Sequence, residues 1–171
     1  MLNLQYMIKI TLRTVKSDVL NEVAMTTAYE GKKASDEGAY ERIFTTEEDR
    51  SMLQRFWDEA ASAITESMKR FVTSVNDSYT ESVTEDGKTD TETVPAYVAD
   101  LELSNSYDTA LTPSIEKSLF SYFVNAIVSK WNNFVKKDGV ERYESEAGDN
   151  MTDIMSKLYY KKKPTRIRLV H

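Results

Sequence analysis

The apolar residues of this chain recur at two different spacings. Residues 6–14 alternate between apolar and polar side chains. This alternation places Ile8, Ile10 and Leu12 on one face and predicts a half-buried strand. Over most of the remaining chain the apolar residues recur every three or four positions, which predicts amphipathic helices.

The first helical stripe is short and predicts a helix over residues 18–31. Ser17 is placed to cap its start, because a serine oxygen can accept a hydrogen bond from a free backbone N–H of the first turn. Gly31 supplies the C-terminal stop, because glycine readily adopts the left-handed conformation that ends many helices. The polar residues 32–44 predict a connector to the next helix.

The second stripe predicts the longest helix, over residues 46–75. Thr45 and Glu48 have capping-box spacing, and apolar residues then follow at steps of three and four from Leu53 to Val75. No Gly or Pro interrupts this run. A helix of about 30 residues would be about 45 Å long, which suits a strut in a bundle or an assembly.

Residues 76–104 predict a β-hairpin that protrudes from the helices. The strands alternate around Asp86 and Gly87, a dipeptide that favours the tight turns of hairpins, and Pro95 marks the end or the edge of the return strand. Eight acidic residues against Lys88 give the segment a charge of −7. A disordered tip is the alternative in an isolated protomer. The hairpin residues that we expect to serve assembly are Tyr79, Glu81, Val83, Asp86, Gly87, Asp90 and Glu92.

Two more helices follow the hairpin. Thr112 and Pro113 open the third helix, over 113–137, as a cap and a first helical residue. Gly139 ends it, and a fourth helix is predicted over 140–161.

The C-terminal tail is basic. Residues 161–171, KKKPTRIRLVH, carry five positive charges and no acid, so residues 1–160 sum to −11 within the net charge of −6. The alternation after Pro164 predicts a strand that pairs with the N-terminal strand, and a frayed tail is the alternative. The tail residues that we expect to dock on a partner are Lys161, Lys162, Lys163, Arg166, Ile167, Arg168 and Leu169.

These elements together predict a mainly α fold. It is a bundle of about four helices, with a protruding β-hairpin between helices 2 and 3 and short terminal strands, in a single domain over 1–171. The residues expected to be largely buried in its core are Phe56, Trp57, Ile64, Phe71, Leu119, Phe123, Trp131 and Ile154.

The composition is that of a globular protein without an evident reaction centre. Hydrophobic residues make up 40% of the chain and charged residues 29%. The absence of Cys excludes a disulfide scaffold and thiolate zinc sites. No apolar run is long enough for a membrane span, and the N-terminal residues contain no apolar core of a signal peptide. We therefore expect no membrane association.

Candidate catalytic residues have simpler structural explanations. Glu47, Glu48 and Asp49 suit the positive N-terminal end of a helix. The only histidine, His171, ends the chain, and no phosphate-binding glycine loop is present. Asp149, Asn150 and Asp153 lack the glycine and final glutamate of a calcium loop. We expect no enzyme activity, no metal and no cofactor.

The order of these parts resembles the head–tail connector (adaptor) proteins of tailed bacteriophages. The resemblance is carried by the helices 46–75 and 113–137, the hairpin around Asp86 and Gly87 between them, and the tail from Lys161. It implies a structural virion protein whose copies form a ring at the neck, join the portal to the tail and continue the DNA channel.

The resemblance also implies partners and a location. The protein would be made in the bacterial host cytoplasm and reside in the virion, where it contacts its own copies, the portal and tail or neck proteins. DNA would pass through the ring without specific binding, because an acidic lumen repels it.

Two other classes remain open at this point. An intracellular protein–protein interaction module, such as an inhibitor or immunity-like protein, would use the acidic face to cover a basic partner. A nucleic-acid binder would act through the tail, but a body with a charge of −11 opposes it, because phosphate neutralisation needs a continuous basic surface.

Overall fold

The fold combines helices with a substantial sheet. The computed structural model describes residues 7–29 and 46–164. The protein is 56% helical and 29% strand, and these residues contain four helices and a three-stranded antiparallel sheet. The prediction of a mainly α bundle is therefore wrong. Residues 72–103 form two long strands, and the second half of the later strand builds part of the core together with the N-terminal strand.

The elements run in the order strand, two helices, two strands, two helices. Their bounds are β1 (Ile8–Val15), α1 (Lys16–Tyr29), α2 (Glu47–Ser67), β2 (Val72–Glu85), β3 (Lys88–Leu103), α3 (Thr112–Phe134) and α4 (Val140–Tyr159). A 3-10 turn, Thr109–Leu111, leads into α3.

β3 is the centre of the sheet, whose strand order is β1-β3-β2. β1 pairs with the second half of β3, from Ile8 opposite Leu103 to Val15 opposite Ala96. The alternation predicted for β1 is confirmed, because Ile8, Ile10 and Leu12 face the core, whereas Lys9, Thr11 and Arg13 are exposed. The next residue on the core face, Thr14, is buried. β1 pairs with β3. Residues 165–171, which were expected to pair with β1, lie outside the described part of the chain.

α2 is shorter than predicted, since it spans Glu47–Ser67 and not 46–75. Its length is about 31 Å. The Met68 carbonyl accepts hydrogen bonds from the backbone N–H groups of Phe71 at 2.8 Å and Val72 at 3.1 Å, which closes the last turn. The following residues are rich in β-branched side chains, which favour a strand once β3 offers a pairing partner.

The other helix boundaries lie close to the predicted ones. Thr46, and not Thr45, caps α2, because its Oγ1 accepts a hydrogen bond from the backbone N–H of Asp49 at 3.1 Å. α1, α3 and α4 end within three residues of the predicted bounds. Thr45, the predicted stop at Gly31 and the connector 32–44 lie outside the described residues.

The helices pack on one face of the sheet around Phe123 of α3. This side chain has no exposed surface, and its ring lies 4.5 Å from the Trp57 ring of α2 and 5.3 Å from the Tyr97 ring of β3. It therefore joins both helical pairs to the sheet. Of the predicted core residues, Phe56, Trp57, Ile64, Leu119, Phe123 and Ile154 are buried. Phe71 and Trp131 are only partly buried, at the margin of the core.

Asp100 links all three strands on the opposite face of the sheet. Its carboxylate accepts hydrogen bonds from Thr11 Oγ1 of β1 at 2.6 Å and from Ser74 Oγ of β2 at 2.8 Å. These two bonds, with Thr11 the larger cause, hold the pKa of Asp100 below its usual value.

We expect Asp100→Asn to lower the free energy of unfolding by about 1 kcal/mol at neutral pH, because a neutral amide accepts weaker hydrogen bonds than a carboxylate. The folded pKa lies below the ordinary value of 3.8. The contribution is therefore complete above that value and is lost as the pH falls through the folded pKa. Urea unfolding at neutral and strongly acidic pH measures the difference.

The exposed Asp90 near the hairpin turn provides the matched control, Asp90→Asn, which should change stability little. An equal loss for both variants, or a loss at Asp100 that persists unchanged in strong acid, would contradict the assignment.

The two edges of the sheet differ. At the β1 edge, the backbone N–H of Arg13 donates to Glu116 Oε1 of α3 at 3.2 Å, so a side chain occupies a donor that another strand would need. Among the described elements, the outer part of β2 packs mainly against β3, and its other edge is long and exposed. A partner can therefore reach the sheet more easily at β2 than at β1.

Candidate functional site

The outer halves of β2 and β3 form a two-stranded arm, defined here as Thr80–Thr93. Every side chain of this arm is exposed except Val83, which is half-buried. Asp86 and Gly87 have φ angles of 49° and 76°, the left-handed conformation that a tight hairpin turn requires at both positions. The turn therefore lies where the sequence predicts it. Six residues of each strand extend the arm by about 20 Å.

The arm has two chemically different faces. One face carries cross-strand pairs of hydroxyl side chains, such as Thr84 and Thr89, whose Oγ1 atoms are 3.3 Å apart. The other face is acidic, with Glu81 directly opposite Glu92. Like charges in that position destabilise an isolated ribbon. The acidic face also includes Val83, Glu85, Lys88 and Asp90.

The base of the arm is fixed by an interaction across β3. The guanidinium of Arg13 lies over the Tyr79 ring, 3.8 Å from its centroid. Arg13 pairs with Val98 and Tyr79 pairs with Val94, so Ala96 lies between them and is only 1% exposed. A small residue at this position lets the two long side chains meet. Tyr79 therefore anchors the arm to β1.

Pro95 lies inside β3, so it does not end the return strand. It lies at an edge, the other predicted role, because the pairing of β1 with β3 begins at Ala96. It pairs with Ser78 beside an irregularity in β2 between Asn76 and Ser78. A bulge of this kind accommodates a residue that has no N–H to donate.

A cleft of about 410 Å³ lies at the other end of the sheet. Its aromatic wall joins Phe71 to Tyr159 of α4, with ring centroids 5.0 Å apart. The guanidinium of Arg70 lies 5.7 Å from the centroid of the Tyr159 ring. This C-terminal cleft is lined by Met7, Arg70, Phe71, Glu102, Ser104, Tyr107, Leu158, Tyr159, Tyr160 and Lys161.

The first residues of the predicted tail lie on the rim of this cleft. Lys161 forms a β-bridge with Tyr107, and the backbone N–H of Lys162 donates to the Ser106 carbonyl at 2.7 Å. The bridge holds Lys161, Lys162 and Lys163 in place with exposed side chains. The remaining tail residues, Arg166, Ile167, Arg168 and Leu169, lie outside the described residues.

A second cleft, of about 400 Å³, separates α2 from the irregular part of β2. Lys16 donates to Gln54 Oε1 beside it and lies 5.9 Å from the centroid of the Trp57 ring. Burial lowers the pKa of Lys16, while Asp58 and Asp77 on the two walls oppose that shift. Lys16 of α1 therefore interacts electrostatically with a carboxylate on each wall of this cleft.

Within residues 7–29 and 46–164, no group of three or more His, Cys, Asp or Glu side chains is arranged to hold a metal ion. No helix in those ranges is long and apolar enough to cross a membrane.

The predicted sites are thus at opposite ends of the molecule, the hairpin residues on the arm and the start of the tail on the C-terminal cleft. The cleft itself was missed, because its walls come from residues far apart in sequence. The exposed pair Tyr159 and Tyr160, directly before three lysines, is the signal that points to it.

No family model, curated protein or solved structure matches this chain. Function is therefore inferred from its residues and geometry alone.

Proposed function

We propose that this protein is a structural virion protein of a tailed bacteriophage. Its copies form a ring at the head–tail connector that joins the portal to the tail and continues the DNA channel. The observation that carries the proposal is the arm, a paired and well-formed ribbon whose side chains are almost all exposed. Such a ribbon suits a contact between protein subunits.

The physical chemistry of the arm favours a covered state. A two-stranded ribbon is marginally stable in water on its own, and the opposed Glu81 and Glu92 weaken it further. Contact with a neighbouring copy would cover its apolar surface and separate or neutralise these charges. In a ring every copy both supplies an arm and receives one.

The charge distribution suits a DNA channel. Residues 1–160 sum to −11, and the whole chain has a net charge of −6. A surface of this sign repels the phosphate backbone, so DNA would slide past it without stable contacts. The tail residues Arg166, Ile167, Arg168 and Leu169 would attach the ring to the portal or to tail proteins.

A second function is favoured by the acidic face itself. Glu81, Asp90 and Glu92 share one face of the arm and would complement a basic protein surface. An inhibitor or immunity-like interaction module would use this face as a monomer or a dimer. The two functions differ in the size of the assembly that the protein forms by itself.

Shortening the arm tests the proposal. Deleting 80–85 and 88–93 removes six residues from each strand and leaves the turn residues Asp86 and Gly87 joining Tyr79 to Val94. Because an even number is removed, the two faces keep their alternation. Mass photometry should show one discrete high-mass species for the full chain, as closed rings require, and monomers for the shortened chain.

The circular dichroism of the two proteins should agree apart from the lost strand residues. A full chain that stays monomeric or dimeric at every concentration would favour the interaction module. Loss of helix content on shortening would show that the arm belongs to the core of the fold.

A further inference from the structure

We propose that the arm of one copy binds in the C-terminal cleft of the next copy, so that the contact between subunits is head-to-tail. This inference rests on the proposed function and names the surface that receives the arm. The cleft is the one lined by Arg70, Phe71, Tyr159 and Lys161.

The sheet gives the molecule two distinct ends. β3 begins at Lys88 beside the arm turn and ends at Leu103 beside the cleft. Its 16 residues span about 50 Å. An arm therefore lies far from the cleft of its own chain. A contact between two unlike surfaces at opposite ends repeats from copy to copy, and it closes into a ring when the rotation between copies permits.

The two ends carry opposite charge. The arm has five acidic side chains and one lysine. The cleft and its rim carry Arg70, Lys161, Lys162 and Lys163. Their one acidic neighbour in the lining, Glu102, lies 3.8 Å from Lys9 on β1. Among the described residues, no ion pair is seen for the three tail lysines, so they can pair with carboxylates of another copy.

The arm and the C-terminal cleft also carry apolar groups that complement each other. Val83 lies in the middle of the acidic face, between Glu81 and Glu85 along β2. The cleft presents the paired rings of Phe71 and Tyr159, and Tyr159 is 49% exposed. A volume of about 410 Å³ holds a few side chains and not the whole ribbon. The cleft would thus take Val83 and its neighbours, while the rim lysines take the carboxylates around them.

Pairing of two arms through their open β2 edges is the competing geometry. It would place acidic arms side by side, which repulsion between like charges opposes. It is also symmetric, so two copies satisfy each other and no ring follows. A mixture of one variant that lacks the arm and one that lacks a functional cleft distinguishes the two geometries, because only the head-to-tail contact lets these two variants bind each other.

The test uses two variants, each with one competent end. The first has the shortened arm described above and an intact cleft. The second has an intact arm and the substitutions Arg70→Glu, Lys161→Glu and Lys163→Glu. Each variant alone should be monomeric, with self-association weakened on the order of 30-fold or more. Their equimolar mixture should form a one-to-one heterodimer, because one intact arm meets one intact cleft.

The matched control reverses three exposed positive charges elsewhere, by Arg55→Glu, Lys136→Glu and Arg142→Glu. This control should still assemble. A compensating variant, which carries Glu81→Lys, Asp90→Lys and Glu92→Lys on the arm together with the three cleft reversals, should assemble again. Circular dichroism of every variant confirms that it is folded before its mass is measured.

Chemical cross-linking gives a second readout that does not depend on affinity alone. The chain contains no Cys, so Asp90→Cys in one copy and Tyr160→Cys in another are the only reactive thiols in a mixture. A bismaleimide should join the two different variants more efficiently than either variant to itself.

The outcomes separate this inference from the proposed function. If the full chain assembles and the shortened arm prevents it, but the mixture gives no heterodimer and no mixed cross-link, only the head-to-tail contact is overturned. If the cleft-reversed variant assembles like the wild type, the cleft is likewise excluded. If the full chain is monomeric at every concentration and the mixture forms no heterodimer, both are overturned.

Discussion

Phe123→Ala should lower the free energy of unfolding by about 3–5 kcal/mol. The ring of Phe123 has no exposed surface, and it stacks on Trp57 with 4.5 Å between ring centroids and 26° between ring planes. It also contacts the rings of Tyr97 and Tyr122 at 5.3 Å and 5.5 Å. Truncation would leave a cavity where α2, α3 and β3 meet, and three large rings cannot easily move to fill it. Urea unfolding followed by tryptophan fluorescence measures the loss.

Phe134→Ala on the same helix is the matched control. Phe134 is 46% exposed and touches the margin of the core, so the same chemical change should cost less than about 1 kcal/mol. Both variants are compared with the wild type at one protein concentration, because self-association would otherwise shift the apparent stability. Equal losses at the two positions would mean that Phe123 is not the centre of the core.

The protein should lose about 2–3 kcal/mol of stability between pH 10 and pH 12, because a buried tyrosine must ionise. Tyr122 is 3% exposed, and its hydroxyl donates a hydrogen bond to the Ala60 carbonyl at 2.9 Å. Burial, with a smaller effect of Tyr97, raises the pKa of Tyr122 to about 12. The phenolate would lie in a poorly solvated site and could no longer donate that hydrogen bond.

The loss of stability at high pH follows from the raised pKa of Tyr122. The neutral phenol is favoured in the folded state, so its contribution is complete below the ordinary pKa of 10.0 and is lost as the pH rises toward about 12. Denaturant unfolding across this range, together with the ultraviolet absorbance of phenolate, measures it. Tyr122→Phe should reduce the alkaline loss, whereas Tyr159→Phe, at an exposed position, should leave it in place. An alkaline loss unchanged by Tyr122→Phe would assign it to another group.

Local sequence patterns predicted where strands and turns lie better than they predicted which strands pair. The alternation of Ile8, Ile10 and Leu12 identifies β1, and Asp86 with Gly87 identifies the hairpin turn. Each of these signals lies within a few residues of sequence. The pairing of β1 with β3 depends on residues about 90 positions apart, and an alternating pattern does not specify which strand it will meet.

The end of α2 shows why the fold class was predicted wrongly. Phe71 continues the three- and four-residue spacing of the helix, and no Gly or Pro stops it. The helix nevertheless ends at Ser67, because Val72 and the residues after it gain a pairing partner in β3. Helical spacing competes here with strand formation, and the tertiary pairing decides between them.

The candidate sites also have features that local sequence predicts and features that depend on the tertiary structure. The arm could be located from its acidic, threonine-rich composition, and its sidedness follows from alternation. The contact between Arg13 and Tyr79 that anchors it spans two strands separated by the centre of the sheet. The C-terminal cleft combines Met7, just before β1, with residues of β3, of α4 and of the turn after α2. Neither could be recognised before the order of the strands was known.

The position of β3 also constrains how the chain folds during translation. β1 is made before its described partner in the sheet, β3, which leaves the ribosome roughly 90 residues later. At synthesis rates of about 5–20 residues per second, this is an interval of roughly 5–20 seconds. Throughout that interval the backbone edge of β1 that later pairs with β3 is open. Other chains or chaperones can bind to this edge. Completion of the sheet is thus tied to the late synthesis of its central strand, and a pause before residue 103 would prolong the exposure.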